Sequence, residues 1–138
     1  MTIASTIASR IDRAAVPALT AILGGAAAIH FFQPRVFEPL IPPQLTAVAG
    51  RRDWVYASGV AELACAAAVA VPRTRRIGGY ASAALFVGVF PGNIQMAVDY
   101  RKRRRPGRQQ AIAFGRLPLQ IPLVQLALRV SRLSRGDG

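Results

Sequence analysis

Paired cysteines and clustered histidines are missing from this sequence. Cys65 is its single cysteine and His30 its single histidine. No intramolecular disulfide can form and no Cys-x-x-Cys motif is present, so dithiol redox chemistry carried by this chain alone is excluded. A multi-histidine metal site is excluded for the same reason, and we expect no metal. Glycine-rich phosphate-binding motifs of the GxGxxG or P-loop type are also absent.

Acidic residues are scarce as well, with 6 Asp and Glu against 18 Lys and Arg, and the formal net charge is +12 although 52% of the residues are hydrophobic. The positive charge is concentrated in short runs, at 73–76 and 101–105. A nucleic-acid-binding protein would also be basic, but here the basic runs flank apolar segments and no basic surface with interspersed aromatics is visible. This layout is typical of a small multi-pass membrane protein whose loops meet anionic lipid headgroups. We therefore predict membrane lipids as partners and no nucleic acid.

Four apolar segments each come close to the roughly 20 residues that a helix needs to cross the hydrocarbon core. We predict spans at about 14–32, 54–71, 77–98 and 111–130, with a short polar lead over 1–13 and a disordered basic tail over 131–138. The connection 33–53 contains the stretch 36–43, which is apolar but broken by prolines and too short to span, and this predicts an interfacial or partly re-entrant segment. The predicted fold is a single all-α integral membrane domain over residues 1–138. It is an antiparallel four-transmembrane-helix bundle with a Pro-rich interfacial loop between helices 1 and 2.

Glycines predict where these helices approach one another. Gly24 and Gly25, in the first span, predict a face that packs closely on a neighbouring helix or on a second copy of the chain, because small residues allow close approach in lipid. Gly78 and Gly79, with the basic residues before them, predict a tight turn between the second and third spans. Pro91 predicts a bend in the third span.

Spans that alternate in direction give the bundle two ends. Side A holds the N-terminus, the 73–76 turn and the C-terminus, whereas side B holds the loop 33–53 and the connection 99–110. At 1.5 Å per residue, Glu62 lies about 12 Å and Arg116 about 8 Å from side B. We predict a polar pocket opening toward side B, with the loop 33–53 as its lid, formed by His30, Glu62, Asn93, Arg116 and Gln120. Basic residues are divided almost evenly between the two sides, so the positive-inside rule assigns no orientation.

An arginine inside a span needs a partner, because burying it costs about 2.5–3.5 kcal/mol on insertion scales. Glu62 is the one acidic residue well inside a span, and its estimated depth matches that of Arg116. We therefore predict a Glu62–Arg116 ion pair, hydrogen-bonded by Asn93 and Gln120. One interpretation is structural, with the pair fixing the helix register. The other is functional, with the pair serving a proton-linked or headgroup-binding site. His30 is a further candidate because histidine changes its charge near neutral pH.

Four motifs occur in order along the chain. They are His-Phe-Phe at 30–32 followed by the Pro-rich stretch 37–43, Ser-Gly-Val-Ala-Glu at 58–62, Pro-Arg-Thr-Arg-Arg at 72–76 leading to Phe-Pro-Gly-Asn-Ile at 90–94, and Arg-Leu-Pro-Leu-Gln at 116–120. Over about residues 20–128 the sequence resembles the DoxX-like family of small four-helix bacterial membrane proteins. Gly92 departs from the family pattern, which more often has alanine there.

The resemblance implies a four-helix bundle in the bacterial plasma membrane. Some DoxX-like proteins are linked to membrane redox complexes, including thiosulfate–quinone oxidoreductases and assemblies with superoxide dismutase and a sulfurtransferase, and others assist the maturation or assembly of partner proteins. We expect a non-catalytic accessory subunit of a membrane redox, oxidative-stress or assembly complex, with a protein partner and without catalytic residues or a cofactor of its own. The alternative is a membrane oxidoreductase or quinone-binding subunit that uses the Glu62/Arg116 pocket. A small transporter is a third hypothesis, disfavoured because no internal repeat is visible.

Overall fold

The fold consists of four long α-helices joined by a proline-rich loop and two short connections. A computed structural model describes residues 2–134. Its helices are α1 (Ile3–Phe32), α2 (Arg51–Ala70), α3 (Arg75–Lys102) and α4 (Gly107–Leu133). Three short 3₁₀ turns, Pro34–Val36, Glu38–Leu40 and Pro43–Ala47, lie in the loop 33–50 between α1 and α2. No strand occurs among the described residues, and the predicted all-α class is confirmed.

Three of the described helices, α1, α3 and α4, are long and apolar enough to cross a membrane, which indicates a membrane protein. Helix α2, predicted as a span over 54–71, is not one of the three. It begins with Arg51, Arg52 and Asp53 and carries Glu62 at its middle, and these charges lower its hydropathy. Large apolar side chains such as Ile22, Val87 and Ile121 are exposed on α1, α3 and α4.

Helix α1 begins about three turns earlier than predicted, so residues 3–13 of the expected polar lead are helical. The Thr2 side chain caps the helix by accepting a hydrogen bond from the Ser5 backbone N–H at 3.3 Å. Further along this segment, Asp12 forms an ion pair with Arg129 of α4. A cap and a tertiary partner together explain why a polar sequence continues the first helix.

The remaining connections are shorter than predicted. The turn between α2 and α3 covers only 71–74, and Gly78 and Gly79 lie inside α3. The connection predicted over 99–110 shrinks to 103–106, because α3 continues to Lys102 and α4 begins at Gly107. Helix α4 also includes the first residues of the predicted disordered tail, while 135–138 lie outside the described residues.

Small residues bring the helices together at side A, the end that contains the N-terminal part of α1 and the turn 71–74. A Cβ atom built on Gly78 would lie 2.7 Å from the Val69 nitrogen of α2, and one on Gly79 would lie 2.7 Å from the Ser131 nitrogen of α4. Around them lies an apolar core that includes the fully buried Leu19 of α1. Only glycine fits at these two positions without moving a backbone.

Gly24 and Gly25 do not pack on another helix of the described chain, and the alternative, contact with a second copy of the chain, stays a prediction. A Cβ atom on either residue would meet nothing within 4 Å. The α1 face that packs on the neighbouring helices instead presents Leu23 and Ala27, which are 1% exposed. Proximity of the two glycines in sequence did not reveal which side of the helix faces inward.

The loop 33–50 covers side B, the opposite end of the molecule. Trp54 Nε1 donates a hydrogen bond to the Leu45 carbonyl oxygen at 2.9 Å, and Arg51 Nη1 donates one to the Glu38 carbonyl oxygen at 3.2 Å. A Cβ atom on Gly92 of α3 would lie 2.5 Å from the Leu40 carbonyl oxygen. The loop is therefore fastened to α2 and packed directly on α3.

Candidate functional site

The site centres on a contact between the only histidine and the most deeply placed acid. His30 Nδ1, on the last turn of α1, lies 2.9 Å from Glu62 Oε2 of α2. The same nitrogen lies 2.8 Å from the carbonyl oxygen of Ala26, one turn earlier in α1. His30 is 6% and Glu62 9% exposed. We call this arrangement the His30–Glu62 contact.

A glycine makes the contact geometrically feasible. Gly59 precedes Glu62 by three residues and so lies on the same face of α2. A Cβ atom at Gly59 would lie 2.9 Å from His30 Cβ and 3.2 Å from Phe31 Cζ. Because glycine has no such atom, the α2 backbone approaches α1 closely enough for the Glu62 side chain to reach the imidazole.

The contact constrains where the imidazole proton sits. Two oxygens, from Ala26 and Glu62, lie within 3 Å of His30 Nδ1, so the geometry fits a histidine that carries a proton on this nitrogen. That proton is aligned with the Ala26 carbonyl, since Glu62 Oε2 accepts no aligned hydrogen bond from the described residues. The Glu62 carboxylate oxygen is therefore attracted electrostatically, either by the N–H dipole of a neutral imidazole or by the charge of an imidazolium.

Phe37 of the loop closes the site. Its ring stacks on the His30 imidazole, with 3.6 Å between ring centroids and an interplanar angle of 10°. The guanidinium carbon of Arg116, on α4, lies over the same Phe37 ring at 5.8 Å from its centroid, a cation–π geometry. One loop side chain thus touches a buried residue of α1 and the half-buried arginine of α4.

The predicted Glu62–Arg116 ion pair is wrong. Among the described residues Arg116 forms no ion pair, and the polar neighbour of Glu62 is His30. Residue depth was estimated correctly enough to place both in the same half, but depth carries no information about which helices are adjacent. Helix α2 packs mainly on α1 and α3, whereas α4 packs mainly on α3 and secondarily on α1. The carboxylate therefore meets the histidine of α1.

The two predicted amide residues do not join the His30–Glu62 contact. Asn93 is 4% exposed, and its side chain forms no hydrogen bond with the described residues. Gln120 is 8% exposed, its Oε1 has no partner in the described chain, and its side chain lines an apolar groove of about 340 Å³ between α3 and α4. Of the five predicted residues, the structure brings His30 and Arg116 to the Phe37 ring and Glu62 to His30, and the functional role of all five remains a prediction.

Three contributors were not singled out from the sequence, namely Phe37, Gly59 and the Ala26 carbonyl. Phe37 lies in the loop that was predicted to act as a lid, and it is that loop's only aromatic side chain, which was a usable signal. Gly59 lies within the Ser-Gly-Val-Ala-Glu motif, three residues before Glu62. The Ala26 carbonyl carries no sequence signal, because every residue has one.

The other groups with possible chemistry are the single cysteine and the potential metal ligands. Cys65 is buried and lies beside Ser82 of α3, where it packs as a small apolar residue. Among residues 2–134 no group of three or more His, Cys, Asp or Glu side chains is arranged to hold a metal ion. The arrangement that remains is a buried, proton-bearing contact covered by a loop.

These features define a class: an all-helical protein with three helices of membrane-crossing length and a buried histidine–carboxylate contact under a proline-rich loop. The chain belongs to the family described as a domain of unknown function (DUF8561), whose model matches residues 19–131. The match includes every residue of the site and the whole loop. No curated protein and no solved structure matches the chain.

Proposed function

We propose that the chain is a non-catalytic accessory subunit of a bacterial plasma-membrane complex, built as an antiparallel four-helix bundle with the loop 33–50 at the interface. The observation that carries this proposal is the closure of the polar site by the chain's own residues. His30 Nδ1 is hydrogen-bonded to the Ala26 carbonyl and lies beside Glu62, and Phe37 covers the imidazole face. A site closed in this way fixes the loop to the helices and presents the loop surface to a partner.

The bundle arrangement is supported by contacts at both ends. At side A, Asp12 pairs with Arg129 and Gly79 abuts Ser131. At side B, His30 contacts Glu62 and Leu40 abuts Gly92. These contacts join the beginning of α1 to the end of α4, and the end of α1 to the middle of α2, as expected for antiparallel neighbours. Helix α2 would cross the membrane shielded by its neighbours, which fits the burial of Glu62 in a span of modest hydropathy.

The redox or oxidative-stress setting, or alternatively a role in assembly, rests on the resemblance to DoxX-like proteins. Its test is to purify the tagged protein in mild detergent from the membrane of its own host and identify co-purifying proteins by mass spectrometry. We expect a stoichiometric membrane partner that is lost on Phe37→Ala, which releases the loop, and retained in Val87→Ala, a change on the exposed apolar surface. Recovery of the wild-type chain without any stoichiometric partner would contradict an accessory role.

A quinone-binding subunit is a second candidate, favoured by the groove between α3 and α4. The groove has apolar walls that include Phe86 and Phe90, and the buried Gln120 amide has an unpartnered oxygen. An amide offers both a donor and an acceptor, so it can bind a quinone carbonyl or a quinol hydroxyl. We expect any co-purified quinone to be lost on Gln120→Leu and kept on Gln109→Leu, an exposed glutamine of the same helix that does not line the groove. Quinone retained equally in both variants would exclude this groove.

A further inference from the structure

A second cavity lies at side B, outside the His30–Glu62 contact. It measures about 290 Å³, close to the ~300 Å³ lower limit of small-molecule sites. The loop 33–50 forms one wall, and the end of α3 with the connection 103–106 forms the opposite wall. Its lining includes four arginines, two acids and one tyrosine: Arg35, Arg51, Arg103, Arg105, Glu38, Asp99 and Tyr100.

Both acids of this cavity contact other residues, whereas none of the lining arginines is paired with an acid. The Glu38 carboxylate lies 3.6 Å from Arg52 Nε, outside the cavity lining. The Asp99 carboxylate accepts hydrogen bonds from Gln95 Nε2 at 3.2 Å to each oxygen. Among the described residues, none of the four lining arginines forms an ion pair. Because the Gln95 amide is uncharged, Asp99 keeps its negative charge, and the lining holds four guanidinium groups against two carboxylates, an excess of positive charge.

Backbone geometry holds two of these arginines in place. Arg104 has a left-handed backbone with φ of 47°, which ends α3 in a Schellman arrangement. The Arg105 N–H donates to the Tyr100 carbonyl at 3.0 Å, and the Arg104 N–H donates to the Arg101 carbonyl at 3.2 Å. The chain reversal places Arg103 and Arg105 on either side of a fixed turn, and the Arg105 guanidinium lies 5.8 Å from the Tyr100 ring centroid.

The opposite wall is also held by hydrogen bonds. Arg51 Nη1 donates to the carbonyl oxygens of Glu38 and Ile41, at 3.2 and 3.4 Å, which fixes its guanidinium under the loop. Pro39, Ile41 and Pro43 supply an apolar part of the lining. A preformed cavity with several guanidinium groups and an apolar edge suits a phosphate that carries an acyl-bearing group, since guanidinium binds phosphate oxygens by paired hydrogen bonds.

We propose that this cavity binds the phosphate group of an anionic phospholipid at the side B membrane surface. The phosphate chemistry follows from the cavity alone. The lipid as its source rests on the membrane placement in the proposed function, because Arg35 follows α1, Arg51 begins α2 and Arg103 follows α3 at this end. A soluble phosphate compound would use the same groups without the apolar edge.

The test measures lipid binding to the purified full chain in uncharged detergent, by native mass spectrometry and by the fluorescence of Trp54, the only tryptophan. The probes are phosphatidylglycerol, phosphatidylcholine and inorganic phosphate. We expect phosphatidylglycerol to bind about tenfold or more tightly than phosphatidylcholine. Inorganic phosphate that binds as tightly as phosphatidylglycerol and displaces it would support the phosphate site and assign it to a soluble ligand. Equal binding of the two lipids, with no binding of phosphate, would overturn the proposal.

A matched pair of double variants separates a site from a diffuse basic surface. Arg103→Gln/Arg105→Gln removes two lining charges, and Arg101→Gln/Arg108→Gln removes two charges of the same basic region that do not line the cavity. We expect the first pair to weaken phosphatidylglycerol binding about tenfold or more and the second at most about twofold. Equal losses would overturn the site.

The single variant Arg35→Gln, on the opposite wall, guards against a folding artefact and should weaken binding several-fold while leaving the helical circular dichroism unchanged. Unaltered affinity in Arg35→Gln would likewise contradict the proposal. Because the assay contains no other protein, its failure would leave the accessory-subunit proposal intact. Conversely, loss of the partner protein would leave lipid binding intact.

Discussion

The two ends of the molecule are held together by opposite means. At side A the helices touch backbone to backbone, with Gly78 against Val69 and Gly79 against Ser131, and the surrounding core is apolar. At side B the His30–Glu62 contact, the Phe37 stack and the hydrogen-bonded loop fill the space between the helices. Side A should therefore be sensitive to added volume, and side B to the loss of a polar partner.

Side A therefore serves as the structural scaffold, and side B presents the surface that is available for function. At side A, close packing of small residues joins the helices directly. Side B contains the buried ionisable residues, the loop and the basic cavity, and its polar groups are arranged by long-range contacts. Substitutions at side A should therefore affect stability without affecting lipid or partner binding. Substitutions at side B should affect both stability and binding.

The largest effect is expected for His30→Ala. The substitution leaves the Glu62 carboxyl buried without its neighbour and removes the stacking partner of Phe37, so we expect a loss of about 3–5 kcal/mol in the free energy of unfolding. Unfolding by SDS in mixed micelles measures it. The control is Ile29→Ala, whose side chain is 45% exposed, and a comparable loss in the control would show that side B does not depend on its polar contact.

At side A the sensitive change is Gly79→Ala. The new Cβ atom would lie 2.7 Å from the Ser131 nitrogen, so α3 and α4 must separate, at a cost of about 1–3 kcal/mol. Gly88→Ala in the same helix is the control, because a Cβ atom there meets nothing within 4 Å and helix propensity favours alanine by up to about 1 kcal/mol. If both variants are equally stable, the close approach at side A is wrong.

Gly92→Ala tests how firmly the loop lies on α3. Its Cβ atom would lie 2.5 Å from the Leu40 carbonyl oxygen, so the loop must shift, and we expect a loss of about 1 kcal/mol. Hydrogen exchange should show faster exchange of loop amides with little change in the four helices. Unchanged exchange in the loop would mean that it does not rest on α3.

The smallest effect is expected for Arg104→Gly, which should stabilise the protein rather than destabilise it. A left-handed backbone is unfavourable for residues with a Cβ atom, so glycine at this end of α3 should raise the free energy of unfolding by about 0.5–1 kcal/mol. Arg108→Gly, at an ordinary helical position, should lower it. Destabilisation by Arg104→Gly would argue against the turn that positions Arg103 and Arg105.

Much of the architecture was predictable from composition and hydropathy. Long apolar segments and the proline-broken stretch indicated the helices and the loop between them, and three of the predicted polar residues, His30, Glu62 and Arg116, lie near that loop. Helix ends were less predictable. The cap at Thr2 and the Asp12–Arg129 pair extend α1, and a pair separated by more than a hundred residues leaves no local pattern.

The identity of the contacting side chains was the least predictable feature. Glu62 and Arg116 share an estimated depth. Which side chains meet depends on which helices are adjacent, and α2 packs mainly on α1 and α3. Gly24–Gly25 and Gly78–Gly79 are both pairs of adjacent glycines, but only the second pair faces the backbone of another helix. Helix adjacency explains why Glu62 and Arg116 do not pair, and the rotation of α1 about its axis, which hydropathy does not report, explains why Gly24 and Gly25 lie away from the other helices.

The most direct test is a double-mutant cycle on Glu62 with two partners. Unfolding free energies are measured for His30→Ala, Glu62→Gln and Arg116→Gln, and for the doubles that combine Glu62→Gln with each of the others. We expect a coupling energy of about 1–2 kcal/mol between His30 and Glu62 and additivity, within about 0.5 kcal/mol, between Glu62 and Arg116. Coupling of Glu62 to Arg116 with none to His30 would contradict the arrangement of side B described above.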